Sequence, residues 1–116
     1  MADTILLIDD DESLRRVTEY NLSEAGFDVI PASSGQKGLD LFNKKNPNLV
    51  ITDVKLGDMD GLEVLAAIKA ESPETPVIVI TAFGSIEMAV KAMHEGAFNF
   101  ITKPFDRDTL RLSCTK

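Results

Sequence analysis

The sequence predicts an α/β fold: a doubly wound sheet of five parallel strands with helices on both faces. Three observations predict it. Short runs of β-branched and other apolar residues alternate with segments of helical periodicity along the whole chain. The first strand candidate, residues 4–8, is apolar throughout, as a strand covered on both faces should be. Glycine or proline punctuates most of the junctions between elements. At 116 residues the chain reads as a single domain spanning residues 1–116.

The elements follow in order. Residues 4–8 form a first strand. Residues 12–25 form a helix with Leu14, Val17, Leu22 and Ala25 at helical spacing, stopped by Gly26. Residues 27–31 are a second strand. Ser33 or Ser34 caps a helix that carries Leu39 and Phe42 and ends at Asn46-Pro47, because proline lacks an N–H and restricts its predecessor. Residues 49–52 are a third strand. A loop with Gly57 and Gly61 leads to a helix bearing Leu62, Leu65 and Ile68, closed by Pro73 and Pro76. Residues 77–80 are four β-branched residues in a row and form a fourth strand. A helix over 85–95 carries Ile86, Ala89, Val90 and Met93 on one stripe and stops at Gly96. Residues 98–102 are a fifth strand, and residues 106–112 begin a last helix. Ser113 to Lys116 continue that helix poorly, so it reads as truncated and the chain as cut from something longer. Right-handed crossovers then give the flavodoxin-like order 2-1-3-4-5.

Composition narrows the function. The apolar fraction is 44%, the charged fraction 27%, the net charge -7 and the pI about 4.6. An acidic domain is repelled by phosphate backbones and anionic lipid, which argues against nucleic acid and membrane as partners. The lone Cys114 cannot form an internal disulfide and fits a reducing cytosol. The N-terminus has no basic region before its apolar run, so it is no signal peptide, and no apolar stretch is long enough to span a membrane.

In such a sheet, sites form beyond the carboxyl ends of the strands, near the switch in strand order. Asp9 and Asp10 follow strand one, Asp53 ends strand three, Thr81 ends strand four, and Lys103 follows strand five. The three carboxylates Asp9, Asp10 and Asp53 converge in this picture. Like charges so placed need a compensating cation, and an all-oxygen set with room for water and phosphate suits Mg2+. These are the parts for phosphoryl transfer to a carboxylate. Asp53 is the candidate nucleophile, forming an acyl phosphate. The metal is expected on Asp10 and Asp53, and through water on Asp9. Lys103 and Thr81 would each hold a phosphate oxygen. Taken singly, each residue has a plainer reading. Asp11 and Glu12 suit a helix N-terminus as well as a site. An Asp at a strand end is often a turn former, and a lysine is often only solvated. The joint placement at one end of the sheet carries the argument.

On these residues the chain resembles the response-regulator receiver family. The matching pieces are Ile8-Asp9-Asp10, Thr52-Asp53-Val54, Met59-Asp60-Gly61, Thr81-Ala82 and Lys103-Pro104-Phe105, in the family's order and across almost the whole chain. The resemblance implies a signalling domain that is not an enzyme beyond its own phosphorylation and dephosphorylation. It implies phosphorylation of Asp53 by a sensor histidine kinase, with Mg2+ held by Asp9, Asp10, Asp53 and the backbone carbonyl of Lys55. It implies Thr81 and Phe100 as switch residues and a cis bond between Lys103 and Pro104. Output would pass to another domain or partner through the face of the 85–95 helix, strand five and the last helix, a face that also suits a homodimer. The expected location is the cytoplasm. The run from Thr81 and from Gly96 to Phe105 is most similar to the NtrC-type subgroup, whose full-length members carry a sigma-54 ATPase and a DNA-binding domain.

Further expectations follow. Lys55 and Phe83 should hinder water and prolong the phosphoryl state. Leu14, Pro104 and Phe105 would form a kinase-docking patch, with Leu14 equally readable as core. His94, the only histidine, is expected at the surface. Many relatives have Pro-Gly where this chain has Gly57 and Asp58, which frees the loop backbone. Asp58 is expected to point to solvent. A haloacid-dehalogenase-type phosphatase would need a second Asp where Lys55 stands. A flavin carrier would not place acids after strand one. A receiver-shaped module that is never phosphorylated is the remaining alternative.

Overall fold

Four consecutive side chains of the first strand, Ile5 to Ile8, have no solvent exposure. Each contributes roughly 1.5–3 kcal/mol by leaving water. That burial requires cover on both faces, and the topology supplies it. The computed structural model describes residues 3–81 and 86–102. Its elements are β1 (Thr4–Ile8), α1 (Glu12–Glu24), β2 (Asp28–Ala32), α2 (Gly35–Lys45), β3 (Leu49–Asp53), α3 (Gly61–Glu71), β4 (Val77–Thr81), α4 (Ile86–His94) and β5 (Asn99–Thr102). The strands pair in parallel in the order β2-β1-β3-β4-β5, the predicted one. The predicted last helix lies outside the described residues.

Alternate side chains of the central strands feed two apolar layers. Leu6, Ile8, Val50, Val77 and Val79 meet Phe42 of α2, Leu65 and Ile68 of α3 and Ala92 of α4. Ile5, Leu7, Ile51, Ile78 and Ile80 meet Leu22 of α1. The edge strand β2 carries exposed Pro31, paired with Leu7. An edge is where a strand tolerates proline, because one side of the ladder needs no N–H there.

Helix ends follow the local chemistry. Asp11 caps α1 by accepting from the Leu14 amide, and its neighbour Glu12 pairs with Arg16. For these two acids the plain helix-terminus reading therefore accounts for their side chains. Ser34, not Ser33, caps α2, and Asn46 ends it in the left-handed region at φ 47°. Asp60 and Glu63 form a capping box at α3. Gly26 and Gly96, the predicted helix stops, both sit at φ 100°.

Two helical stripes read from the sequence coincide only in part with the buried faces. In α1, Thr18 and Leu22 are buried, whereas Leu14 and Val17 are 41% and 58% exposed. In α4, Ala92 is buried and Met88 packs on the core, while Val90 and Met93 are exposed. The i, i+4 pairs Thr18–Leu22 and Met88–Ala92 mark the inward faces, and of the predicted stripes Leu14, Val17, Val90 and Met93 are exposed.

Gly61 shows how tightly the segment after β3 is held. A Cβ there would strike the carbonyl of Asp53 and the Cα of Val54, both backbone atoms that cannot step aside. Gly61→Ala should therefore cost about 1–3 kcal/mol, the range for overpacking a close contact. Urea denaturation measures it, and an unchanged midpoint would contradict the close approach.

Candidate functional site

β1 and β3 are adjacent and parallel, and their register pairs Ile8 with Thr52. The next residue of each chain, Asp9 and Asp53, therefore emerges side by side at the carboxyl edge, with Asp10 following. One carboxylate oxygen from each of Asp9, Asp10 and Asp53 lies within 4.8 Å of the others. Asp9 is fully buried, Asp53 is 8% exposed, and Asp10 faces solvent. Two oxygens bound to one Mg2+ at about 2.1 Å sit no more than about 4.2 Å apart. A cluster of this span fits two direct carboxylate ligands and a third through water. The donor set is all oxygen and anionic, so the residues fit the predicted ion.

Each acid is positioned by its own neighbourhood. The Asp9 amide donates to the carbonyl of Ala32 in β2. An Asp9 carboxylate oxygen accepts from the amide of Asp11 at 3.0 Å. The Arg15 guanidinium, one turn into α1, donates to the Asp9 carbonyl at 2.9 Å and closes the β1–α1 connection from above. Asp53 accepts from the Val54 amide at 2.6 Å, and its carbonyl accepts from the buried Thr52 hydroxyl at 2.9 Å. The phosphoacceptor candidate is thus held at its carboxylate by one neighbour and at its carbonyl by the other.

The loop after β3 forms the third wall. Lys55 and Asp60 pair in an isolated antiparallel bridge. The Asp58 amide donates to the Leu56 carbonyl at 2.9 Å, closing a γ-turn on Gly57 at φ 82°. That turn needs glycine, because a side chain is strained at this φ. It lies beside the acids: a Cβ on Gly57 would sit 3.8 Å from an Asp10 carboxylate oxygen. Lys55, two residues past Asp53, is exposed.

Asp58 is exposed, as expected, but its carboxylate is also hydrogen-bonded across to α2. Its carboxylate accepts from the Gly35 amide at 3.0 Å and the Gln36 amide at 2.9 Å. These are the first two amides of α2, whose own first turn has no acid. Hydrogen bonds from Gln36 and then Gly35 lower the Asp58 pKa below its ordinary value.

The remaining predicted residues divide. Thr81 ends β4, level with Thr102 of β5, but its side chain lies outside the described residues. Lys103, Pro104, Phe105, Phe83 and Cys114 also lie outside them, as does the Lys103–Pro104 bond. Phe100 is half-buried in β5 and packs on the layer shared by α2, α3 and α4. Leu14 is exposed, which removes the core reading for it. His94 is exposed in the last turn of α4, as expected. Arg15 and Asp58 are the contributors that the sequence reading missed. Arg15 looks like any helix arginine. The only signal for Asp58 was the missing acid in the first turn after Ser34.

With the fold and the acids in place, the class is a receiver of the doubly wound type. The sequence profile of the response regulator receiver domain matches residues 5–114, and the chain belongs to that family, a family of signalling domains. It is 42% identical over 106 residues to the transcriptional regulatory protein GlrR of Escherichia coli K12, covering 91% of this chain and 24% of that protein. It is 40% identical over 102 residues to the DNA-binding transcriptional regulator NtrC of Klebsiella pneumoniae, covering 88% and 22%. The chain therefore spans about a quarter of the length of these curated relatives. The crystal structure of the NtrX receiver domain from Brucella abortus superposes with a TM-score of 0.91 at 38% identity, covering 96% of this chain and 94% of that one. A receiver domain from Clostridium thermocellum superposes at 0.94 with 33% identity, covering 99% and 92%. The resemblance to the NtrC-type subgroup holds in both kinds of comparison. No helix among the described residues is long and apolar enough to cross a membrane.

The Asp58 bonds carry a pH signature. Its pKa is depressed in the folded chain, so its contribution is present above the unfolded value near about pH 4 and is lost as pH falls through the folded value. Asp58→Asn should be less stable than wild type at neutral pH, and the gap should close in that acidic window. Urea midpoints of both proteins, taken stepwise down in pH, check it. A gap that persists unchanged to low pH would contradict the assignment.

Proposed function

We propose that the chain is the phosphoacceptor module of a two-component response regulator, with Asp53 taking a phosphoryl group from a sensor histidine kinase. The observation that carries this reading is the close approach of the Asp9, Asp10 and Asp53 carboxylates at the carboxyl edge of adjacent strands. Asp10 and Asp53 would hold Mg2+ directly, Asp9 through water and Lys55 through its backbone carbonyl. The ion supplies neutralising charge to the carboxylates and to the incoming phosphoryl oxygens.

The chain's own groups do the rest. An Asp53 carboxylate oxygen attacks phosphorus in line. The new O–P bond forms as the P–N bond to the kinase imidazole breaks, and that nitrogen takes a proton. The bond from the Val54 amide would orient the Asp53 carboxylate during transfer, and the close packing of Gly61 against the Asp53 carbonyl would hold its backbone. Thr81 and Lys103 are assigned to the phosphoryl oxygens on their positions in the family motif. Exposed Lys55, with Phe83, would crowd the path of a hydrolytic water and lengthen the phosphoryl lifetime. Mg2+-dependent gain and loss of its own phosphoryl group is the only chemistry assigned, so the domain is a signalling element and not an enzyme acting on outside substrates.

Exposed Leu14 stands on α1, four residues beyond Asp10 in the chain. With Pro104 and Phe105 it would dock the kinase. On the output side, Val90 and Met93 of α4 and Phe98 before β5 are exposed apolar residues. They form an apolar face suited to an output domain, a partner or a second receiver. Phosphorylation would draw the Thr81 hydroxyl inward and let half-buried Phe100 turn further into the core, biasing that face. A cytoplasmic location fits this chemistry.

Incubation with Mg2+ and a small phosphodonor should add the mass of one phosphoryl group to wild type. Asp53→Ala, or removal of Mg2+ by chelation, should abolish the gain. A modified Asp53→Ala protein would overturn the assignment of the acceptor.

Leu14→Asp should accept phosphate from the small donor at the wild-type rate. From the cognate kinase it should be slowed about tenfold, the effect of losing a contact worth about 1.4 kcal/mol. Equal transfer from the kinase removes Leu14 from the docking surface.

A further inference from the structure

We propose that Asp58 is a positioning residue for the acidic site, acting through the Gly57 turn that its carboxylate pins to the first turn of α2. The inference rests on the reading of Asp9, Asp10 and Asp53 as a Mg2+ site, and concerns what holds that site in shape.

The geometry runs through consecutive residues. Lys55, whose carbonyl is assigned to the metal, and Gly57, which faces Asp10, belong to one short loop. The γ-turn on Gly57 is closed by the Asp58 amide. The same residue's carboxylate spans to α2 and takes the Gly35 and Gln36 amides. Met59 adds an apolar grip, since its side chain lies where a Cβ of Gly35 would be. Bonds from two amides to a carboxylate are charge-assisted and favoured at a helix N-terminus. They hold the loop from outside while making no contact that the metal would need to break.

Ser34 separates this role from ordinary helix capping. It caps the same helix by accepting from the Lys37 amide at 3.2 Å, and it does so from α2's own chain. Loss of the Ser34 hydroxyl weakens α2 and leaves the loop's pins in place. Loss of the Asp58 carboxylate weakens α2 and also releases the turn beside Asp10. If the released loop samples other conformations, only a fraction of molecules is competent to bind, and apparent affinity falls by that fraction.

The test is Mg2+ binding by isothermal titration to wild type, Asp58→Ala, Asp58→Asn and Ser34→Ala, with urea midpoints for each. Asp58→Ala should bind Mg2+ about three- to tenfold more weakly. Asp58→Asn, which keeps one acceptor oxygen, should fall between, and Ser34→Ala should bind as wild type despite a lower midpoint. Undiminished affinity in Asp58→Ala, or an equal loss in Ser34→Ala, overturns the proposal. Should Asp58→Ala fail to fold, wild type alone decides. Coupling is reciprocal, so saturating Mg2+ must slow hydrogen exchange at the Gly35 and Gln36 amides, and unchanged exchange there overturns it. Wild type that binds no Mg2+ at all would instead sink the metal-site reading, a distinguishable failure.

Discussion

The parallel register of β1 against β3 is the constraint on which the rest depends. Pairing Ile8 with Thr52 leaves the chain no choice but to bring Asp9 and Asp53 out together, at the central strands and at one edge. Such an arrangement of anions opposes folding. It persists because the strands beneath it are committed by burial. Ile5 to Ile8 and Val77 to Ile80 have no exposure, and shifting the register by one residue would swap the two apolar layers. The three acids are crowded at one edge because a packed core holds the strands beneath them in register.

Positioning is then a matter of backbone more than of side chains. The acids receive bonds from the Asp11 and Val54 amides. Arg15 donates to the Asp9 carbonyl. Support through the backbone helps to orient Asp9. The same logic applies at Gly61, whose missing side chain lets α3 begin against the Asp53 carbonyl.

What the sequence made legible follows from this division. The central strands β1, β3 and β4 write themselves as apolar runs, and β2 and β5 were placed by the junctions around them, so all five strands were readable, each boundary within a residue. The faces of α1 and α4 were not. Periodicity finds an apolar stripe, but it does not say whether the core or another molecule covers it. Thr18 is polar and buried, whereas Tyr20 is aromatic and 63% exposed. The inward faces carry Thr18 and Leu22 in α1 and Met88 and Ala92 in α4, while Leu14, Val17, Val90 and Met93 are exposed. Asp58 was illegible for another reason: its partners lie more than twenty positions away, at Gly35 and Gln36, and no local pattern joins them.

The loop around Gly57 shows how the chain meets a structural demand by a route of its own. The resemblance places a proline at this position in many relatives, and a proline ring locks φ near about −65°. Here Gly57 sits at φ 82°, a conformation that proline cannot reach. The absent ring is therefore not a simple loss of stiffness along an unchanged path, since the backbone takes another turn altogether. A glycine turn left to itself would be the least ordered part of the site, because glycine loses the most entropy on ordering. Three contacts oppose that freedom: the Leu56 carbonyl closes the turn, the Asp58 carboxylate reaches α2, and Met59 lies over Gly35. Rigidity that a ring would supply covalently is supplied by non-covalent links to a neighbouring helix. Links of that kind open and close in equilibrium. A wall of the acidic site is thereby joined to α2, which lies outside the face assigned to output, and the order of that helix and the order of the site become one linked quantity.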